Sequence, residues 1–132
     1  DDLEYKNRMN NKVKKRESWR PFCPTIVEKK ASYFLEDSTY APYMILGFKM
    51  KNTHEANAVC HVDNTCRPQV LRRQDNLSFY DVVKESGEIV LNTSLNLAGD
   101  PIVETPMNAL MTFKHSEMDA IIINDFLVKR NF

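Results

Sequence analysis

The chain has 132 residues, of which 42% are hydrophobic and 27% charged, and its formal net charge at pH 7 is zero. A chain of this length and composition is expected to form one domain with its own hydrophobic core. Zero net charge gives no electrostatic reason to expect nucleic acid or an anionic membrane as a partner, and no apolar run approaches the roughly 20 residues that span a bilayer. The three cysteines lack a disulfide-scaffold spacing and no charged-then-apolar leader opens the chain, so we expect a cytoplasmic protein.

The chain begins with a helical pattern that runs into a basic segment. Tyr5, Met9 and Val13 recur every four residues, which predicts a first helix. Residues 6–20 contain seven Lys or Arg side chains and one acid, Glu17, so they carry a local positive field that suits a small, highly charged anion. A solvated surface is the commoner explanation of such a charge run.

Two cations of this basic segment, Lys14 and Arg16, lie two positions apart. Because Pro21 follows closely, we predict an extended backbone here, which points both side chains to the same side. Two cations aimed together suit phosphoryl or nucleotidyl transfer, because the transition state spreads negative charge over several oxygens. Arginine adds a bidentate fork for phosphate.

The rest of the chain alternates helical and strand patterns. Apolar spacing after Pro24 predicts a second short helix, preceded by an extended connection that the prolines fix. Runs of apolar residues bounded by polar turns predict strands at 43–50, 58–62, 67–71, 88–91 and 120–123. A helical pattern covers 77–85, with Asp75 or Asn76 as its cap.

The last third of the chain reads as strand, loop, helix and strand. Thr105 is the predicted N-cap of the helix and Pro106 its first residue, and one apolar face is formed by Ala109, Leu110 and Phe113. This order predicts helices on the faces of a largely buried sheet. We therefore predict an α/β or α+β fold with a mixed, twisted β-sheet flanked by helices.

The loop of this unit carries four short hydrogen-bonding side chains, Asn92, Thr93, Ser94 and Asn96. A loop and a helix N-terminus at a sheet edge offer free backbone amides, so this corner is expected to bind oxyanions. Ser94 is not predicted to be a nucleophile, because no G-x-S-x-G turn surrounds it and no histidine has the spacing of a general base. Hydrogen bonding to an anion and stabilisation of the turn both remain open for Ser94 and Asn96.

The stretch NTSLNLAGDPIVETP, residues 92–106, resembles the NTSFN-x-x-G-E-P-I-V-x-T-P motif of the C-terminal, YrdC-like domain of the carbamoyltransferase family. Three further stretches of the chain agree with that family in the same order: KVKKRESWRPFCPTIVE, HVDNTCRPQV and MDAIIINDFLVK. Together these stretches span almost the whole chain. The resemblance implies a YrdC-like fold for residues 1–132, in a chain that lacks the family's separate N-terminal acceptor domain.

The resemblance also implies a set of site residues. A K-x-R pair and an S-x-N pair line the nucleotide cavity of YrdC-like enzymes, and they match Lys14 with Arg16 and Ser94 with Asn96 in this sequence. Arg67 matches the arginine of the family's H-V-D-G-T-x-R-x-Q stretch and is the third expected phosphate-binding cation. Thr93, beside the S-x-N pair, is also expected to bind the phosphates of ATP, and the two pairs are the expected catalytic residues. Expected supporting residues are His61, Asp63 and Gln69 around Arg67.

The residues around Arg67 include side chains of the types that bind metal ions. Asp63 is expected either to hold Mg²⁺, to orient Arg67 or to cap a turn. Cys60, His61 and Cys66 form a C-H-x4-C pattern without a C-x-x-C knuckle, so we predict buried thiols rather than a metal site built from a protein cluster.

The chemistry implied by the resemblance is the formation of carbamoyl-adenylate from carbamoyl phosphate and ATP with Mg²⁺. The carbamoyl group then passes to a hydroxyl acceptor in the N-terminal domain of the same longer protein, which is the expected partner. Two alternatives stay open: a non-catalytic nucleotide-binding or interaction module, and an enzyme similar to threonylcarbamoyl-adenylate synthase.

Overall fold

Helices and strands alternate along the chain, in a computed structural model that describes residues 2–15, 17 and 22–130. The α-helices are α1 (Asp2–Arg8), α2 (Glu28–Phe34), α3 (Leu77–Glu85) and α4 (Pro106–His115). A π-helical segment, Met9–Lys14, continues α1, and two 3₁₀ turns lie at Thr53–Glu55 and Asn57–Val59. The strands are β1 (Cys23–Val27), β2 (Phe48–Lys49), β3 (Thr65–Cys66), β4 (Gln69–Leu71), β5 (Ile89–Asn92), β6 (Ala120–Ile123) and β7 (Phe126–Lys129). This mixture confirms the predicted α+β class.

The described residues divide into two compact units. The first unit comprises residues 2–3 and 22–93, and the second comprises residues 4–15, 17 and 94–130. None of the helices within these residues combines the length and the apolar character that a bilayer crossing requires.

The first unit is built around a three-stranded mixed sheet in the order β4-β1-β5. β1 is parallel to β4 and antiparallel to β5. Helices α2 and α3 pack against β1, and the core under α3 contains Val27, Leu71, Tyr80 and Val83. The predicted cap of α3 is confirmed, because Asn76 Oδ1 accepts a hydrogen bond from the Phe79 amide at 3.0 Å.

Sequence reasoning missed strand β1, because it treated the stretch up to Pro24 as an extended connection and placed Val27 in the second helix. Proline is disfavoured in a central strand because it cannot donate to the ladder. Pro24 is tolerated here because β4 pairs only with Thr25, Ile26 and Val27, which leaves Pro24 beside β5 alone.

Two predicted strands of the first unit are wrong. Of residues 43–50 only Phe48–Lys49 forms a strand, paired with Thr65–Cys66, Met50 makes a single bridge to Leu35, and Met44 adopts a positive φ of 53°. Residues 58–62 form part of a 3₁₀ turn and a loop instead of a strand, and Val62 is fully exposed. Apolar runs become strands only where a partner edge is available, which these segments lack over most of their length.

The second unit packs α4 against a β-hairpin. Thr105 caps α4 as predicted, because its Oγ1 accepts a hydrogen bond from the Asn108 amide at 3.1 Å. Ala109 and Phe113 are buried against Ile121 of β6, which confirms the predicted apolar face. The predicted crossover is wrong: β6 does not join the sheet of β5 but pairs antiparallel with β7 through a two-residue turn.

Two arginine side chains, Arg130 and Arg8, join separate segments of this unit. Arg130 donates to the carbonyls of Phe113 and Ser116, at the C-terminal end of α4, where the helix leaves carbonyl groups without an α-helical donor. Arg8 Nη2 donates to Asp119 Oδ1 at 2.6 Å, which holds the pKa of that carboxyl below its ordinary value. The Arg8 contact ties the C-terminal end of α1, and therefore the π-helical segment after it, to the turn before β6.

Candidate functional site: the Lys14 cluster

Lys14 is the last residue of the π-helical segment, so the predicted extended backbone at this position is wrong. The chain leaves the helix at Lys15, which has left-handed backbone angles and whose amide donates to the Asn10 carbonyl. The helical turn and the cap were missed because proximity to Pro21 was given more weight than the four-residue apolar period. Arg16, the other half of the predicted pair, lies outside the described residues.

The Lys14 side chain is buried, with 5% of its surface exposed, and its ammonium group contacts three oxygens. Nζ donates to the Ser94 carbonyl at 2.6 Å, to the Asn96 carbonyl at 2.8 Å and to Asn96 Oδ1 at 2.7 Å. These bonds match the three protons of an ammonium group. The structure therefore brings Lys14, Ser94 and Asn96 together across about 80 positions of sequence, as their predicted roles require.

The loop around the ammonium is itself held by hydrogen bonds. Ser94 Oγ donates to Asn96 Oδ1 at 2.7 Å, and Asn96 Nδ2 donates to the Asp100 carbonyl at 2.9 Å. The Ala98 amide donates to the Lys14 carbonyl at 3.1 Å, so the helix end and the loop are joined by backbone as well as side-chain contacts. We name Lys14, Ser94 and Asn96 the Lys14 cluster.

Two backbone amides of this loop indicate that it can bind an anion. Among the described residues, the N–H groups of Leu97 and Gly99 make no hydrogen bond. Gly99 has a positive φ of 83°, which favours glycine and turns the backbone sharply. The Ala98 amide between them is bonded to the Lys14 carbonyl, so the two free amides are the donors that this turn offers to an anion.

A cleft of about 600 Å³ opens over the Lys14 cluster, within the size range of small-molecule sites. Lys15 and Glu17 also line it, with the backbone of residues 97–99. Two lysines and one glutamate give the described charged residues of the lining a net charge of +1. A second cleft of about 520 Å³, against α4, is lined by Asp100 and Glu104, and these carboxylates oppose anions.

The other predicted site residues belong to the first unit. Arg67 Nη2 donates to the Cys23 thiol at 3.3 Å. Asp63 Oδ1 accepts from the Thr65 amide and hydroxyl, at 3.1 and 2.7 Å, and these bonds lower the pKa of the carboxyl. Of the three roles expected for Asp63, the geometry is that of a turn cap. His61 Nδ1 lies 3.2 Å from the Thr65 hydroxyl in the same turn.

Gln69 and its neighbours form a polar network inside the three-stranded sheet. The buried Thr25 hydroxyl donates to Gln69 Oε1 at 2.9 Å and accepts from Asn92 Nδ2 at 2.9 Å, so it joins all three strands. Gln69 Nε2 donates to the Pro42 carbonyl. These bonds fix the register of the sheet up to Asn92, which directly precedes Thr93, the last residue of the first unit.

The three thiols differ in exposure. Cys66 is buried, whereas Cys23 and Cys60 are partly exposed. Within the part of the chain that the structure describes, no group of three or more His, Cys, Asp or Glu side chains is placed to hold a metal ion.

Burial raises the pKa of the Cys66 thiol to about 12, and we expect this to show in its alkylation. Iodoacetamide at pH 8 should label Cys23 and Cys60 in the folded chain while Cys66 reacts only after denaturation, as read by peptide mass spectrometry. Because the folded pKa lies above the ordinary value of 9.0, the Cys66 contribution to stability is complete below pH 9 and is lost as pH rises towards 12. Labelling of Cys66 as fast as Cys23 in native buffer would contradict the burial.

Comparison with known proteins identifies the family of this chain. The family model described as "Carbamoyltransferase C-terminus" matches residues 1–130. The chain belongs to the carbamoyltransferase C-terminal family.

Individual relatives agree with this carbamoyltransferase assignment. The nodulation protein NolO of Bradyrhizobium diazoefficiens is 37% identical over 96% of this chain, and an uncharacterized protein of Methanocaldococcus jannaschii is 35% identical over 98%. The 3′-hydroxymethylcephem-O-carbamoyltransferase of Amycolatopsis lactamdurans is 28% identical over 91%. The alignments span only 22% to 25% of these three relatives' own lengths.

Sequence reasoning missed part of this cleft. Lys15 lines the cleft but was not assigned a role, and the loop amides that were expected to bind anions were not assigned to Leu97 and Gly99. The sequence contained a signal for these amides, because the small residues Ala98 and Gly99 follow Leu97, directly after the S-x-N pair. Small side chains allow the backbone to approach a ligand closely.

Proposed function

We propose that this chain is the adenylate-forming part of an ATP-dependent O-carbamoyltransferase, and that the cleft over the Lys14 cluster binds the phosphates of ATP. The observation that carries the proposal is that Lys14, Ser94 and Asn96 meet at one cleft that suits an anion. These are the residues that match the nucleotide-binding pairs of YrdC-like enzymes. Membership of the carbamoyltransferase family supports the reaction class.

In this proposal Lys14 acts through its charge and through the loop that it holds. A buried ammonium loses little of its field to water, so phosphates in the cleft are attracted even though its protons are bonded to the protein. The amides of Leu97 and Gly99 would then donate directly to phosphate oxygens, and the Ser94 hydroxyl would do so after its one proton turns away from Asn96 Oδ1. Lys15 adds a second positive charge at the rim of the cleft.

The proposed reaction has two parts. Water hydrolyses carbamoyl phosphate to carbamate and inorganic phosphate by breaking the link between the carbamoyl and phosphate groups. A carbamate oxygen then attacks the α-phosphorus of ATP, the bond from that phosphorus to the oxygen of the β-phosphate breaks, and carbamoyl-adenylate and pyrophosphate are formed. Catalysis is mainly positioning and neutralisation, because carbamoyl phosphate, carbamate and ATP are all anions.

Mg²⁺ would enter this reaction with ATP. It is usually held by substrate phosphates, water and one or two carboxylates, and it neutralises charge on the leaving pyrophosphate. Asp63 fits this task poorly, since its Oδ1 already accepts two hydrogen bonds from Thr65. We propose that Mg²⁺ is bound through the phosphates of ATP.

The proposed acceptor of the carbamoyl group is a hydroxyl of a substrate held by another domain. The name of the Amycolatopsis relative describes O-carbamoylation of a hydroxymethyl group, and the chain spans about a quarter of that relative's length. We extend this acceptor chemistry to the present chain as part of the proposal. Transfer would then require the remaining part of such a longer polypeptide.

One observation favours a second candidate, a nucleotide-binding or interaction module without catalysis. The three hydrogen bonds from Lys14 Nζ to protein oxygens already stabilise the loop, which is what a purely structural lysine would do. Such a module would keep the cleft and bind ATP without turning it over.

The experiment measures pyrophosphate release by the purified chain with ATP, Mg²⁺ and carbamoyl phosphate, and ATP binding by calorimetry. Release that depends on carbamoyl phosphate, and that Ser94→Ala reduces by roughly tenfold or more, is the expected result. Ser78→Ala, at the start of α3 in the first unit, is the matched control and should leave release unchanged. Binding without release favours the module, and the absence of both contradicts the proposal.

A further inference from the structure

The β6–β7 hairpin of the second unit has the properties of an interface that is covered in the working protein. Seven of the eight residues in its two strands are apolar, and Lys129 is the exception. All four residues of β7 are exposed, including Phe126 at 74% and Leu127 at 54%, and so is Ile122 of β6 at 73%. Isolated exposed apolar residues are ordinary, but a contiguous strand of them marks an interaction surface.

The backbone of the hairpin is also open to a further strand. Within the described residues, β6 and β7 pair only with each other. Ile123 and Phe126 flank the two-residue turn and form its hydrogen-bonded pair, so the pairs alternate outward from there. The amides of Leu127 and Lys129 therefore face the outer edge of β7.

Natural proteins protect such an edge by charge, proline, twist or a cover. The hairpin strands have no proline and their only charge, Lys129, lies at the far end of β7 from the turn. Two strands alone are also marginal in water, and only one face of β6 is supported, by α4. A covering strand explains all of these features together.

We infer that the outer edge of β7 pairs with an extended, apolar strand from another part of the longer polypeptide to which this domain type belongs. The relatives supply the argument for this occupant, because the matched region covers only 22% to 25% of the length of the nodulation protein NolO and of the 35%-identical Methanocaldococcus protein. The strand would donate and accept backbone hydrogen bonds along β7 and pack its side chains beside Leu127, and the part of the polypeptide that carries it would cover Ile122. This inference is independent of the proposed ATP chemistry, because it rests on the hairpin alone.

Hydrogen exchange tests the inference on the full-length natural polypeptide that contains residues 1–132 and on the 132-residue chain itself. The peptide covering β7 should exchange at least roughly tenfold more slowly in the full-length protein, while peptides from α4 change little. Equal exchange of β7 in both proteins would overturn the inference. So would slowing of β7 in the short chain with rising concentration together with a dimeric mass by light scattering, because a second copy would then be the occupant.

Lysine substitutions in the hairpin provide a second test of the inference. Ile122→Lys and Leu127→Lys should leave the melting temperature of the short chain nearly unchanged, since both side chains are exposed there. In the full-length protein the same substitutions should lower the melting temperature by several degrees and speed exchange of β7. Val82→Lys, at a 60%-exposed position of α3, is the matched control and should have no effect in the full-length protein. Equal tolerance of all three lysines there would contradict a covered hairpin.

Discussion

Replacement of Lys14 by Met is expected to lower the free energy of unfolding by about 2 kcal/mol, because partly buried oxygens that accept hydrogen bonds from a charge lose their donor. The Ser94 and Asn96 carbonyls and Asn96 Oδ1 are these oxygens, and the methionine side chain would occupy a position that is 5% exposed in Lys14 without replacing any of the three bonds. Urea denaturation followed by circular dichroism measures the loss.

The same substitution is expected to weaken ATP binding by roughly a hundredfold, since it removes the buried charge of the cleft and frees the loop that lines it. Lys15→Met is the matched control. Lys15 lines the same cleft but is exposed, and its ammonium lies 3.4 Å from the His115 carbonyl. It should change stability by less than about 0.5 kcal/mol and weaken ATP binding less. A Lys14→Met protein with normal stability and normal ATP affinity would contradict the assigned role.

Replacement of Asn96 by Asp is expected to separate binding from stability. The carboxylate keeps an oxygen for Lys14 Nζ and for the Ser94 hydroxyl, and it adds an ion pair with the ammonium. It loses the bond from Nδ2 to the Asp100 carbonyl, so the two changes in stability offset each other. ATP affinity should fall by roughly tenfold or more, because the new negative charge cancels the +1 of the cleft lining.

Calorimetric titration with Mg-ATP at two salt concentrations measures this effect. Asn108→Asp makes the same charge change in the same unit, in the first turn of α4, and a carboxylate is favourable there. If both variants lose ATP affinity equally, the effect comes from net charge and not from the cleft. If Asn96→Asp binds normally, ATP does not occupy the cleft over the Lys14 cluster.

Local signals in the sequence predicted several elements correctly. Asn76 and Thr105 each accept an amide hydrogen bond at the start of their helix, and Pro106 occupies the first helical position of α4. Capping depends on side chains within three residues of each other, so the sequence contains the whole interaction. The strands at Ile89–Asn92 and Ala120–Ile123 were also recognisable from short apolar runs.

Local rules of this kind could not predict which strands pair with each other. The apolar run at 43–50 looked like a strand, yet only its last three residues, Phe48–Met50, find partners, and Tyr43 remains 76% exposed. β1 was hidden by Pro24, which the sheet accommodates because β4 is too short to reach it. Strand formation depends on edges supplied from distant sequence, which no window of residues contains.

The candidate site shows the same division. The resemblance to the carbamoyltransferase family selected Lys14, Ser94 and Asn96 from sequence, and it selected Arg16, which lies outside the described residues. It did not predict that Lys14 ends a helix or that its ammonium contacts two backbone carbonyls.

The sequence by itself determined the helix caps, the mixed α+β class and the family, because these depend on neighbouring residues or on motifs. Only the tertiary structure decided which strands pair, that the Lys14 ammonium is buried in the 94–100 loop, and that β7 presents an open apolar edge. Those features depend on contacts between residues far apart in sequence, whose free energy is gained only when the chain has folded.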